Sequence, residues 1–327
     1  MVDQKITVLN ANLPTLLPAP AAKKDENASS GHALGQIVGD WFQDHFAQPL
    51  LYEVAEKLGL YLDYRLRSRP SRSQKIIWQD EDGNGVDYDF VMELKGTDTA
   101  QGIPVAFLEC FWRRGSRHSK DKARDDSGKL MPMRVTYPTA RFLGIVASGD
   151  FTGPARTLVQ SREIDLFLVT KAKMIEAFNA FGIVIDYPDN TPEPRKAELV
   201  DAAKKALETE GIKQKIAEKL RDLIGEGVLN GYTNRVLAGL SALPQEIRIY
   251  GQQQSKPTVF EHIDEAVEFL LQVEPKFDFS DTKLSFTYEI TYSDGFEFSR
   301  QLKSIEELRD LNNQIKVLSD HVTGLNQ

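Results

Sequence analysis

Three carboxylates stand where a chemist would place a site. In the stretch Val86-Asp87-Tyr88-Asp89-Phe90, strand alternation would put Asp87 and Asp89 on one face. Further along, Glu109 is the single charged side chain inside Val105-Ala106-Phe107-Leu108-Glu109-Cys110-Phe111. A charge in so apolar a run is costly unless it has a partner such as a cation. Carboxylate oxygens are hard ligands and suit Mg²⁺, which takes one or two carboxylates together with waters and phosphate oxygens. Two basic clusters flank this acidic centre. Arg65, Arg67, Arg69, Arg72 and Lys75 precede it, and Arg113, Arg114, Arg117, His118, Lys120, Lys122 and Arg124 follow it. Basic walls around a metal-binding centre suit a polyanion. In Arg65-Leu66-Arg67-Ser68-Arg69 the arginines alternate, so an extended chain would aim all three at phosphates.

The elements that must hold these residues can be read from periodicity. Residues 1–30 are irregular, punctuated by prolines, with a possible short strand at 6–10. A helix is predicted from about residue 32, because Leu34, Ile37, Val38, Trp41, Phe42, His45 and Phe46 follow helical spacing. Residues 50–60 continue it or form a second helix. The period then changes to two: a strand at 75–79, a turn at 80–85 rich in Asp, Gly and Asn, and a returning strand at 86–94. Residues 103–112 form a strand buried on both faces. A helix at 119–130, a strand at 140–148, a helix at 152–161, a strand at 164–170 and a helix at 171–181 follow. The order α–β–β–β–α–β–α–β predicts an α/β fold with a mixed central sheet flanked by helices. The expected division is an N-terminal arm (1–30), a core (31–190), a helical region (191–245) and a small α+β subdomain (246–327).

The order of elements over roughly residues 30–185, with the carboxylates on its strands, resembles the PD-(D/E)XK nuclease superfamily, which includes most type II restriction endonucleases. That family places an Asp on the second strand of a hairpin and, on the next strand, an acidic residue, one spacer and a Lys. Asp87 and Asp89 lie 22 and 20 residues before Glu109. Gly83-Asn84-Gly85-Val86-Asp87 is also similar to the turn that leads into the first Asp in methylation-dependent members. The resemblance implies a restriction-endonuclease-like core and a Mg²⁺-dependent endonuclease acting on double-stranded DNA. A sequence-specific restriction enzyme is the first expectation; a repair or phage-defence nuclease, or an inactive DNA-binding module, are the alternatives. It further implies a homodimer or higher homo-oligomer.

On this reading Asp87, Asp89 and Glu109 are the metal ligands. Arg65, Arg67, Arg69, Arg113, Arg114, Arg117, His118 and Arg124 are expected on DNA. One departure stands out: the position two after the acid is Phe111, where the family has Lys. A lysine migrated to the next helix, Lys120 or Lys122, is the preferred replacement. The competing frame pairs Glu93 and Lys95 with Asp80 or Asp82; a dead site is the third possibility. Hairpin charges facing water are the plain alternative for Asp87 and Asp89, and a solvated helix face is the plain alternative for the 113–124 run.

Bulk properties narrow the class further. The chain has 327 residues, 41% of them hydrophobic and 27% charged, an ordinary globular balance. The net charge of −8 excludes a uniformly basic nucleic-acid binder, so any affinity for DNA must be local. One cysteine, Cys110, excludes internal disulfides and a Cys-based zinc site. No apolar run approaches the ~20 residues of a membrane span, and no signal peptide opens the chain, so a cytoplasmic location without membrane contact is expected.

Overall fold

The computed structural model describes residues 29–116, 119–251, 256–272 and 286–325. The arm at 1–28, with its expected strand, lies outside them.

Helix α1 (Ser30–Phe42) starts at Ser29, whose hydroxyl accepts from the His32 N–H. It buries Leu34, Val38, Trp41 and Phe42, the predicted stripe. The helix runs on without a break through a π-helical turn (Gln43–Ala47) into α2 (Gln48–Lys57). The turn sits just before Pro49, which offers no N–H and does not fit the ordinary helical ladder. Gly35 and Gly39 lie inside α1, each at a cost of about 1 kcal/mol against Ala. Gly59, at φ 58°, then turns the chain into β1 (Tyr61–Tyr64), a strand absent from the sequence reading.

Strands β2 (Ile76–Gln79) and β3 (Gly85–Tyr88) form the expected hairpin, its turn tied by Asp80, whose carboxylate accepts from the N–H groups of Asp82 and Asn84. The predicted strand 86–94 is two strands, however. β3 stays with β2, while β4 (Phe90–Leu94) joins the main sheet. The break falls at Asp89. The β4 ladder to β5 (Ile103–Arg113) reaches Phe90 opposite Leu108, and the next free N–H on that edge, Cys110, is taken by the Asp89 carboxylate at 2.7 Å. A side chain thus replaces the ladder bond, and β3 peels away.

The remaining core elements are α3 (Ser119–Thr136), β6 (Phe142–Gly149), α4 (Gly153–Gln160), β7 (Asp165–Thr170) and α5 (Lys171–Asn179). The central sheet is mixed, in the order β1-β4-β5-β6-β7, with antiparallel pairs on one side and parallel pairs on the other. β5 is buried on both faces, as its composition predicts. Leu108, Cys110 and Trp112 pack toward α1, α2 and α5, and Phe107 and Phe111 pack toward α3 and α4.

Helices α6 (Glu193–Leu207), α7 (Ile212–Ile224) and α8 (Glu226–Ser241) contribute Leu199, Ile216, Leu220, Tyr232 and Val236 to the first of these cores. The helical region at 191–245 therefore shares the hydrophobic interior of the sheet. The C-terminal part has its own core and an antiparallel sheet of β8 (Pro244–Tyr250), β9 (Thr258–Phe260), β10 (Phe286–Tyr292) and β11 (Glu297–Leu302), with α9 (Ile263–Gln272) and α10 (Ile305–Leu325). Two ties fasten it. Arg141 holds the Asp294 carboxylate at 3.0 Å, and α10 packs Leu318 and Val322 into the first core, with His321 against the Leu58 carbonyl. Among the described residues no helix is long and apolar enough to cross a membrane.

Candidate active site

Glu109 sits mid-strand on β5 with its side chain on the α3 side, and only 2% of the residue is exposed. Its partner is Lys129, whose Nζ lies 3.2 Å from Glu109 Oε1 and 3.4 Å from the Asp87 carbonyl. Lys129 is 40% exposed, so its ammonium reaches both the buried acid and open solvent. Asp89, at the break between β3 and β4, is anchored by the Cys110 N–H directly beside Glu109. The same face of α3 carries Lys122 and Asp126, two turns and one turn before Lys129. Lys122 Nζ holds Asp126 Oδ1 at 2.6 Å and lies 5.4 Å from the centre of the Phe111 ring. Asp126 is fully buried, and its Oδ2 has no hydrogen-bond partner.

Two buried carboxylates, the partly buried Asp89 and two lysines therefore gather where β3, β5 and α3 converge. Burial pushes the Glu109 carboxyl well above its usual range, Asp89 and Asp126 push it further, and Lys129 pulls back. Burial likewise raises Asp89, against the pull of the Cys110 N–H and Lys122, and it raises Asp126 against both lysines. Lys129 is raised despite its partial burial, because Glu109 favours its charged form. Three carboxylates against two lysines leave the site with a net negative charge when all are ionised. Asp89 and Glu109 are hard-oxygen donors suited to Mg²⁺. Among the described residues, no group of three or more His, Cys, Asp or Glu is arranged to hold an ion. Two carboxylates with water and phosphate completing the shell remain a fitting donor set.

The site opens into a cleft of about 720 Å³, walled by α1 on one side and by the end of β5 on the other. A larger cavity, about 880 Å³, lies at the junction with β11 and α10 around Arg134 and Glu163, away from these carboxylates.

Several residues expected at the site are elsewhere. Asp87 is a hairpin charge: its side chain is 42% exposed, accepts from the Ile76 N–H and pairs with Lys75. The lysine on Glu109 is Lys129, not Lys120 or Lys122. Lys120 is exposed on α3, and Lys122 lines the cleft but is engaged with Asp126. Glu93 belongs to no second centre. It is fully buried against Arg69 and the Gly102 N–H, and Lys95 lies in a left-handed turn at φ 59°.

The alternating arginines do not share one outward face. Arg65 pairs with Asp40 and Asp44, and Arg67 stacks on Tyr61 and pairs with Asp98. Arg69 is fully buried, bridging Asp63 and Glu93. Their carboxylate partners turn them into structural ties. Arg113 is exposed on the cleft rim. Arg114 also lines the cleft, but it holds Asp186 and Asp189 and stacks on Tyr187. Arg124 is exposed beside Asp121 and Asp125. Arg117 and His118 lie outside the described residues.

Sequence reasoning missed Lys129 and Asp126. The signal was present as the spacing Lys122, Asp126, Lys129, which makes one helical face just after the Glu109 strand.

No family model and no curated protein matches the chain. A solved structure of a protein of unknown function, AF1548, is similar over 61% of this chain and 98% of that one, at 14% identity and a TM-score of 0.26; so weak a likeness carries no argument.

Proposed function

We propose that the protein is a Mg²⁺-dependent endonuclease that hydrolyses phosphodiester bonds in double-stranded DNA on a restriction-endonuclease-like core. The observation that carries this reading is the meeting of buried Glu109, anchored Asp89 and half-exposed Lys129 at the floor of an open cleft. Asp89 and Glu109 would hold the metal. A Mg²⁺ held there would supply Lewis-acid polarisation of the scissile phosphate and a lowered pKa for an attacking water. Lys129 supplies a fixed positive charge and N–H donors beside the phosphate, where negative charge grows during attack. Glu109 keeps that ammonium in place through its 3.2 Å contact. Asp126 does the same for Lys122, whose ammonium also lines the cleft. Phe111 and its apolar neighbours keep water from the back of the carboxylates, which strengthens every charge interaction in front of them.

The test is digestion of supercoiled plasmid in Mg²⁺ and in EDTA. Cleavage is expected in Mg²⁺ alone. Lys129→Met should lose activity by about 10²–10³-fold, the usual effect of deleting one stabilising donor. Lys120→Ala should cut like wild type. Absence of cutting by the wild type under any divalent metal overturns the proposal. Discrete fragments, rather than a smear, would support a sequence-specific restriction enzyme.

A further inference from the structure

Helix α1 presents an unusual face to the cleft. Gly31, Gly35, Gly39 and Gln43 recur every four residues, and all four line it. Glycine inside a helix sacrifices stability, so a packing reason is the first thing to look for. Gly31 has one, since a Cβ there would meet the Tyr187 hydroxyl at 2.6 Å. Gly35 has none: a Cβ would meet nothing within 4 Å. At Gly39 it would only touch Trp112 at an ordinary 4.0 Å. At Gly35 and Gly39 the protein therefore leaves bare helix backbone facing the cleft without a packing need for it.

A second observation lies at the end of the same stripe. Gln43 is only 7% exposed, yet its Nε2 has no hydrogen-bond partner. A buried amide donor without a partner is costly and calls for an outside acceptor. It also opens the π-helical turn, a distortion that often marks functional positions.

We propose that this glycine face is the track along which one DNA strand enters the site, its sugar-phosphate backbone against α1 and its phosphate oxygen accepting from Gln43 Nε2. From Gly31 to Gln43 the helix rises about 18 Å, the axial length of about five nucleotides of duplex. A track of that length fits a polymer better than a mononucleotide. Across the cleft stand Glu109 and Lys129, so the strand is held between smooth helix backbone and the reacting groups. The inference rests on the nuclease reading and adds the substrate's path to it.

The test uses the full chain and a fluorescently labelled DNA duplex, with affinity measured in Ca²⁺ and thermal melting run in parallel. Gly35→Ala should melt at or above wild type, since Ala is the better helix former and the space is open. Its DNA affinity should nevertheless fall. Gly35→Leu should lose at least about ten-fold. Gln43→Met should lose about ten-fold, as for one hydrogen bond to a charged group, without a drop in melting temperature. The control, Gly227→Ala on α8, should bind as wild type. Wild-type affinity in Gly35→Leu and Gln43→Met would overturn the track while leaving the nuclease reading intact. A wild-type protein that neither binds nor cuts DNA would instead overturn that reading. If Gly35→Leu melts early, Gly35→Ala and Gln43→Met decide the matter by the same criterion.

Discussion

Replacing Glu109 by Gln keeps the shape and the acceptor for Lys129 but removes one negative charge from the carboxylate cluster. In the folded protein the Glu109 carboxyl is raised well above 4.5, through burial first and then through Asp89 and Asp126. The folded state therefore binds this proton more tightly than the unfolded chain does. Stability is full below about pH 4.5 and declines as pH rises, until Glu109 ionises in the fold as well. Over that window one carboxylate contributes a slope of up to about 1.4 kcal/mol per pH unit. Asp89 and Asp126 act in the same sense. Between pH 5 and 7 in EDTA, Glu109→Gln should thus gain stability relative to wild type as pH rises. Urea unfolding at several pH values reads this directly. Mg²⁺ should reverse the advantage: at 100 times its Kd it stabilises wild type by about 2.7 kcal/mol, and it should do little for the variant. Parallel pH dependences for the two proteins would refute a raised Glu109 and, with it, the electrostatic case for a cation there.

Two further substitutions separate ties from contacts. Arg69→Met leaves buried Glu93 without its cation and Asp63 with Arg72 alone, so stability should fall by about 3–5 kcal/mol in urea unfolding. Any protein that still folds should show an unchanged salt dependence of DNA affinity; a flatter dependence would return Arg69 to the DNA surface. Arg113→Ala, on the cleft rim, should reduce the slope of log K against log salt by about 0.9 with little change in melting temperature. An unchanged slope would mean that Arg113 touches no phosphate.

Much of the framework is legible in the sequence because it depends on neighbours along the chain. The α1 stripe, the Asp80 turn and the doubly buried β5 all follow from local period and turn chemistry. Glu109 is legible for a related reason: one charge in an apolar strand is improbable without a partner, whatever surrounds it. Two strands escaped. β1 follows directly on a helix with four residues of no clear alternation, and β9 has only three residues.

What the sequence could not decide was direction and partnership. Alternation over residues 86–94 placed Asp87 and Asp89 together, but a hydrogen bond from Cys110, 21 residues from Asp89, splits that strand and sends them apart. Arg65, Arg67 and Arg69 resemble a phosphate-binding row until Asp40, Asp44, Asp63, Glu93 and Asp98 are brought beside them. Lys129 lies 20 residues after Glu109, and only the packing of α3 across β5 makes it the partner. Period and composition act over one or two turns of chain, so they determine the elements and the isolated buried charge. Which cation meets which anion depends on the packing of whole elements, because charge pairing is decided by distance in space and by burial.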